Sequence, residues 1–359
     1  MPIKKKITLK DLADELGLTV HTVSKALRGL PGMSEHTRSE VRKLADKLGY
    51  HTKEQERSLL FENTPIYSGA GRRFVFIVAA DQGLRSGLHR VLLESVQQRL
   101  AEAGHTVEVV FVTEDLRLPE RFQAWIARHN LEYADGLFIS PVIPEAVETR
   151  LIALPMPRIL LHFPPPGASV DSVIWNVYDA MQQAARYLID NGHRRMMYIG
   201  DIKRSRGYRL RWQAFNTAVD EAGIQLPPED SHILKLEGPQ DEWTAMWLDK
   251  VKRYGITAFV CASEEALTRT YMACQVTGIS LPKDCSLVGL EPEAVLPGIL
   301  PDITRPTLPV TETGHRAVDR MLWRIANPSL PYEHILLQGG LHKGTTVRTI
   351  PAERIHGLV

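Results

Sequence analysis

Cysteine is scarce. The 359 residues hold only Cys261, Cys274 and Cys285, with no CxxC pair and no histidine at zinc spacing. That excludes a disulfide framework, leaves no expectation of a bound metal, and fits a reducing compartment. Long apolar runs are missing too. Nothing approaches the ~18 residues that signal a membrane span. Lys4, Lys5 and Lys6 lead into a polar amphipathic pattern rather than an apolar stretch, so the start does not read as a secretory signal and a cytoplasmic protein is expected. Catalytic spellings are absent as well: no P-loop, GxSxG or HExxH. Gly69-Ala70-Gly71 precedes a strand pattern instead of following one, so it fails as a dinucleotide loop. Neither an enzyme nor a cofactor is expected.

What is present suits an ordinary globular protein of two or three units, with 44% hydrophobic and 24% charged residues. The charge is unevenly placed. Residues 1–62 carry 12 Lys and Arg against 9 Asp and Glu, whereas the remainder carries 31 against 33. A mildly basic head on a mildly acidic body suits a head that meets phosphates.

The first fifty residues spell three short helices. Thr8-Leu9-Lys10-Asp11 is a capping-box pattern, followed by Leu9, Leu12, Ala13 and Leu16 on one face and a stop at Gly17. Thr19 can cap a second helix with apolar Val20, Val23, Ala26 and Leu27. Ser34 can cap a third, with Val41, Leu44, Ala45 and Leu48 inward and Gly49 at its end. A tight turn between the first two is the helix-turn-helix layout, whose second helix enters the major groove. A plain three-helix bundle has the same helix count.

The spelling separates the two. ITLKDLADELGLTVHTVSKALRGLPGMSEHTRSEVRKLADKLGY resembles the head of the lactose-repressor/galactose-repressor family of bacterial regulators. Thr8, Asp11, Ala13, Gly17, Thr22, Val23, Ser24, Leu27, Ser34, Thr37, Arg38 and Leu48-Gly49-Tyr50 match its pattern. The resemblance implies that Val20, His21 and Lys25 read bases and that Thr19, Ser24 and Arg28 hold phosphates. Lys25 can donate to guanine O6 or N7, and His21 to a purine acceptor. Val20 is open between a thymine methyl and the head's own core. Residues 4–6 read as a basic arm that adds salt-dependent affinity. The resemblance further implies a hinge helix after the head, in which Glu56-Arg57-Ser58-Leu59 places Leu59 as a minor-groove wedge. Glu54, Glu56 and Leu60 depart from the family there, and an amphipathic linker is the other reading.

From residue 72 the pattern alternates strand and helix, as in an α/β domain with a mainly parallel sheet. Strands are expected at 74–80, 107–112, 136–140 and 158–163, then 196–200, 232–236, 258–261 and 286–289. Helices are expected at 86–103, 118–130, 179–191, 209–222, 242–254 and 264–277. LIDNGHRRMMYIGD, RLRWQAFNTAVDEAGI and GISLPKDCSLVGLEPE resemble the same family. The resemblance therefore implies an N-terminal all-α helix-turn-helix DNA-binding head (1–52), a hinge helix and linker (53–71), and an α/β two-lobed, periplasmic-binding-protein-like effector domain (72–359).

Its cleft residues carry over as Arg211, Glu291, the pair Ser263-Glu264, Asn176 after Trp175, and Trp243 as a ring under the ligand. An arginine fork suits paired hydroxyls or a carboxylate. The expected function is a sequence-specific DNA-binding transcription regulator, a repressor, controlled by a small-molecule effector such as a carbohydrate or sugar derivative. Its expected partners are double-stranded operator DNA, the effector and a second copy in a homodimer. A sugar-binding or sugar-modifying α/β protein with a helical appendage is the alternative.

Overall fold

The computed structural model describes residues 7–28, 30, 33–48, 50, 71–80, 87–225, 228–290 and 301–351. The basic arm 4–6, Leu59 with the rest of the hinge, and Glu291 lie outside the described residues.

The head holds α1 (Leu9–Leu16), α2 (Val20–Leu27) and α3 (Glu35–Leu48). Thr8 and Asp11 form the capping box: the Asp11 amide donates to Thr8 Oγ1 at 3.3 Å and the Thr8 amide to Asp11 Oδ2 at 2.7 Å. Gly17 ends α1 at φ 63°, a left-handed turn that glycine adopts without steric cost. Thr19 caps α2 by accepting the Thr22 amide at 3.1 Å, and Ser34 Oγ accepts the Thr37 amide at 3.1 Å. Leu12, Val23, Ala26 and Val41 are fully buried where the helices meet.

The body begins with β1 (Arg73–Ala79), α4 (Gly87–Glu102), β2 (Thr106–Val112), α5 (Pro119–Arg128), β3 (Gly136–Ile139), α6 (Glu145–Ile152), β4 (Arg158–Leu160) and β5 (Asp171–Trp175). The chain then crosses to a second lobe of α7 (Val177–Asp190), β6 (Met196–Ile199), α8 (Arg206–Glu221), α9 (Gln240–Tyr254), β7 (Ala258–Cys261), α10 (Glu264–Thr277) and β8 (Ser286–Gly289). After β9 (Arg305–Pro306) it returns through α11 (Val310–Ala326) and β10 (His334–Leu337), and crosses once more into β11 (Leu341–His342).

Among the described residues the first lobe has a parallel sheet in the order β10-β5-β4-β3-β1-β2 and the second a parallel sheet β6-β7-β8. Inner strands such as β1 are buried along nearly their whole length, because helices cover both faces. Edge strands β2 and β10 instead alternate in exposure. Phe74, Phe76 and Phe138 fill one side of the first sheet against α4 and α11, and Val75, Ile77 and Leu137 the other against α5 and α6. The three cysteines are free and buried, and burial pushes the Cys261 thiol up to about 12.

Two departures from the sequence reading have physical causes. The strand expected at 232–236 reduces to a single bridge, Ile199 to Ile233, because the buried His232 side chain takes a ladder position. Its Nδ1 accepts the Tyr198 amide at 3.0 Å. Burial lowers the His232 pKa to about 4, which keeps that nitrogen a free acceptor. The second departure is in the first lobe: α6 and β5 before the first crossing, and α11 and β10 on the return, form from segments in which no element was expected.

Asp171, fully buried at the start of β5, explains how that return is fastened. It accepts from Arg320 Nη2 at 2.7 Å, Arg324 Nε at 2.6 Å and the Glu333 amide at 2.9 Å. Burial opposes its ionisation, yet those hydrogen bonds outweigh burial and hold the carboxyl below its ordinary range. The three crossings between lobes are also laced together. The Asn176 amide donates to Leu337 O at 2.7 Å, and the Thr307 amide to Gly340 O at 2.8 Å. A Cβ on Gly339 would sit 1.6 Å from Thr307 O, so the approach of the second and third crossings requires glycine there.

Candidate functional site

On the head, α2 buries Val23 and Ala26 and turns its other face outward. Thr19, Val20, His21 and Arg28 are exposed, and Ser24 and Lys25 are half-buried. Val20 is 45% exposed, which places it off the core and on the side of the candidate base readers. Arg28 Nε donates to Ser24 O at 3.3 Å, folding this side chain back along the helix. The spacing of Val20, His21, Ser24, Lys25 and Arg28 forms one continuous stripe at helical period.

In the body, a cleft of about 1040 Å³ opens between the lobes at the carboxyl ends of the strands. The first lobe contributes Glu148, His162, Phe163 and Trp175. The second contributes residues 203–209, Arg211, Ser263, Glu264 and Arg269. Val142 on the rim has φ 63°, a strained conformation for a β-branched residue and of the kind found at binding sites.

Arg211 is 9% exposed on the inner turn of α8. Its Nη1 donates to Ala262 O at 2.8 Å, its guanidinium lies 4.4 Å from the Tyr208 ring centre, and its Nε has no acceptor. Ser263 caps α10 by accepting the Ala266 amide at 3.1 Å, leaving its hydroxyl hydrogen free to donate into the cleft. Burial raises the pKa of Glu264, opposed by Arg90.

The lobes are clasped at the cleft mouth. Arg206, first residue of α8, donates through Nε to Phe163 O at 2.7 Å and through Nη2 to Glu148, a carboxylate 2% exposed. His162 Nε2 lies 3.5 Å from the same carboxylate, and its Nδ1 faces Phe163 O at 3.2 Å. Burial lowers the His162 pKa; Glu148 opposes that and Arg206 reinforces it.

The cleft thus gathers Arg211, Ser263 and Glu264 but not two others. Trp243 is 2% exposed in the core beneath β7, its ring 6.3 Å from Trp247 and nearly parallel to it. The neighbouring Arg269, within 6.0 Å of that ring, occupies the wall in its place. Trp243 therefore corrects the expectation of a ring under the ligand. Asn176 does not line the cleft: its Oδ1 accepts the Asp179 amide at 3.2 Å as the cap of α7, and Trp175 and Val177 beside it form the wall. The sequence reading missed Glu148, His162, Phe163 and Arg206. The only signal was the basic run KRSRGYRLR (203–211).

Comparisons with known proteins agree with this arrangement. Residues 8–53 match the family described as bacterial regulatory proteins, lacI family, and residues 185–347 match a periplasmic binding protein-like domain. HTH-type transcriptional repressor PurR of Escherichia coli O139:H28 is 25% identical over 329 residues, covering 89% of this chain and 91% of that protein. The ribose operon repressor of Haemophilus influenzae is 24% identical over 336 residues, covering 92% and 96%. Among solved structures, the lac repressor dimer bound to operator and the anti-inducer ONPF superposes with a TM-score of 0.64 at 19% identity, covering 96% of this chain and all of that one. A helix-turn-helix head, a two-lobed body and these matches together place the chain in the lacI family of bacterial regulatory proteins, as a DNA-binding transcription regulator controlled by a small-molecule effector.

Proposed function

We propose that this regulator is a cytoplasmic homodimeric repressor in which head 1–52, hinge 53–71 and body 72–359 act as separate parts. Two heads joined by a two-fold axis require matching half-sites, so the operator is near-palindromic. The observation that carries this reading is the exposed stripe on α2 over a buried Val23–Ala26 face. Val20, His21 and Lys25 read base edges, Thr19, Ser24 and Arg28 hold phosphates, and Leu59 wedges the minor groove between half-sites. Selection from random duplex DNA with the full-length protein tests it. A palindrome with a deformable centre is the expected product, and no enrichment even at low salt would sink the reading.

Lys25→Ala is expected to weaken binding to the selected operator by about 5- to 150-fold at fixed salt, the worth of a good base contact. It should also relax the preference at one base per half-site. Fluorescence anisotropy on single-base operator variants reads both effects. A uniform loss across all variants would make Lys25 a phosphate contact instead.

The effector is a carbohydrate or sugar derivative seated in the cleft against Arg211, Ser263 and Glu264, with Glu291 on the adjoining segment. A relative named for the ribose operon supports that class. Binding changes lobe closure, and closure biases the hinge on the operator. A coupling of ~1–3 kcal/mol changes DNA affinity ~5- to 150-fold.

A further inference from the structure

We propose that the effector is an anion, and that its carboxylate or phosphate group sits at the start of α8 between Trp175 and Arg211. This rests on the reading of the cleft as the effector site and deepens it to a charge class.

Two buried donors on the cleft walls, one from each lobe, have no acceptor. Trp175, 3% exposed at the end of β5, has its only polar atom, Nε1, unpartnered. Arg211, 9% exposed, has Nε unpartnered and forms no ion pair among the described residues. Both groups donate only, so an acceptor-rich group is what would complete them. Ser263 adds a third free donor hydrogen on the same wall.

The backbone points the same way. Ser205 makes no side-chain cap for α8, and the first turn of this 16-residue helix has no acidic residue. The helix's own first turn therefore does nothing to offset the partial positive charge at its start. The chain adds to it, with Lys203, Arg204, Arg206, Arg209 and Arg211 in nine residues and no acid among them. Cations at a helix start are unfavourable unless an anion offsets them. Glu148 engages Arg206 and Glu265 engages Arg204, but neither reaches Arg211. Trp175 itself brings no charge to the cleft, and burial raises the pKa of Glu264, the cleft acid beside Ser263, toward its uncharged form.

The test is calorimetry on the full-length protein with two sets of probes. One holds inorganic phosphate, glucose 6-phosphate and gluconate; the other holds glucose, ribose and cellobiose. Expected is binding of at least one anion, weakened about 10- to 100-fold in Arg211→Met and less in Trp175→Phe, which removes the indole N–H and keeps a smaller aromatic ring in the wall. Operator binding by both variants controls for folding. Phosphate and glucose 6-phosphate binding above gluconate makes the group phosphoryl, and the reverse makes it a carboxylate. Binding of a neutral sugar with no anion binding overturns the anion and leaves the effector cleft standing. Silence from every probe, with inorganic phosphate at 50 mM or so, overturns the anion as well. Anion binding unchanged in both variants removes it from this site.

Discussion

Asp171→Ala is expected to lower the melting temperature of the full-length protein by about 10 °C, the equivalent of ~3–5 kcal/mol for stripping one partner from a buried ion cluster. The carboxylate is fully buried and engages Arg320 and Arg324, which are 3% and 4% exposed. Without it two guanidiniums remain side by side in the core, with Trp323 at 4.0 Å from one and Tyr332 at 4.6 Å from the other as their aromatic neighbours. The same cluster sets an acid limit. A carboxyl held below its ordinary range contributes stability at all pH values above the unfolded value near ~3.9, and that contribution is lost as pH falls through the lower folded value. In Asp171→Ala the slope of stability against pH should flatten in that acidic window. A variant melting within a degree or so of the parent would show that α11 is held by its apolar face alone.

Arg206→Gln is the second large effect, at about 3 kcal/mol, the low end for breaking a buried pair because the Arg206 side chain is 21% exposed. Glu148 is then left with His162 at 3.5 Å. In the parent, His162 is held neutral, mainly by burial and further by Arg206. A histidine with a lowered folded value makes stability fall as pH drops below about 6.5. Removing Arg206 takes away one lowering cause and leaves the attraction of Glu148, so His162 should protonate at higher pH and the fall should shrink. The buried His193 and His232, both lowered to about 4 by causes that do not involve Arg206, cancel in the difference between parent and variant. Small-angle scattering should register a larger radius of gyration as the lobes part. An unchanged radius and pH slope would show that the clasp does not hold the lobes.

The head was legible residue by residue, because caps and core there are local: Thr8 with Asp11, Thr19 with Thr22, and Gly17 at its turn all lie within three or four positions of their partners. Inner strands β1, β3 and β7 were legible for a similar reason, since unbroken apolar runs need no partner to be recognised. Asp171 was not. Its meaning depends on arginines 149 and 153 residues away, and as a lone acid in VDSVIW it merely interrupts a strand pattern. Trp243 shows the opposite failure, where a matching spelling carried a ligand role onto a ring that the fold uses for packing. Glu148 and Arg206 meet only when both lobes are in place, 58 residues apart, so no local pattern announces the clasp.

The lacing of the three crossings bears on how a signal leaves the cleft. Asn176 is tied to Leu337, and Thr307 to Gly340. Three short ribbons bound edge to edge behave as a flexure: compliant to bending across their common line, stiff to shear and to twist. Energy delivered in the cleft then goes into one rotation instead of dispersing over many small displacements. Gly339 keeps that joint thin. A single methyl group there would meet the Thr307 carbonyl and force the second and third crossings apart, at a distance from either binding surface.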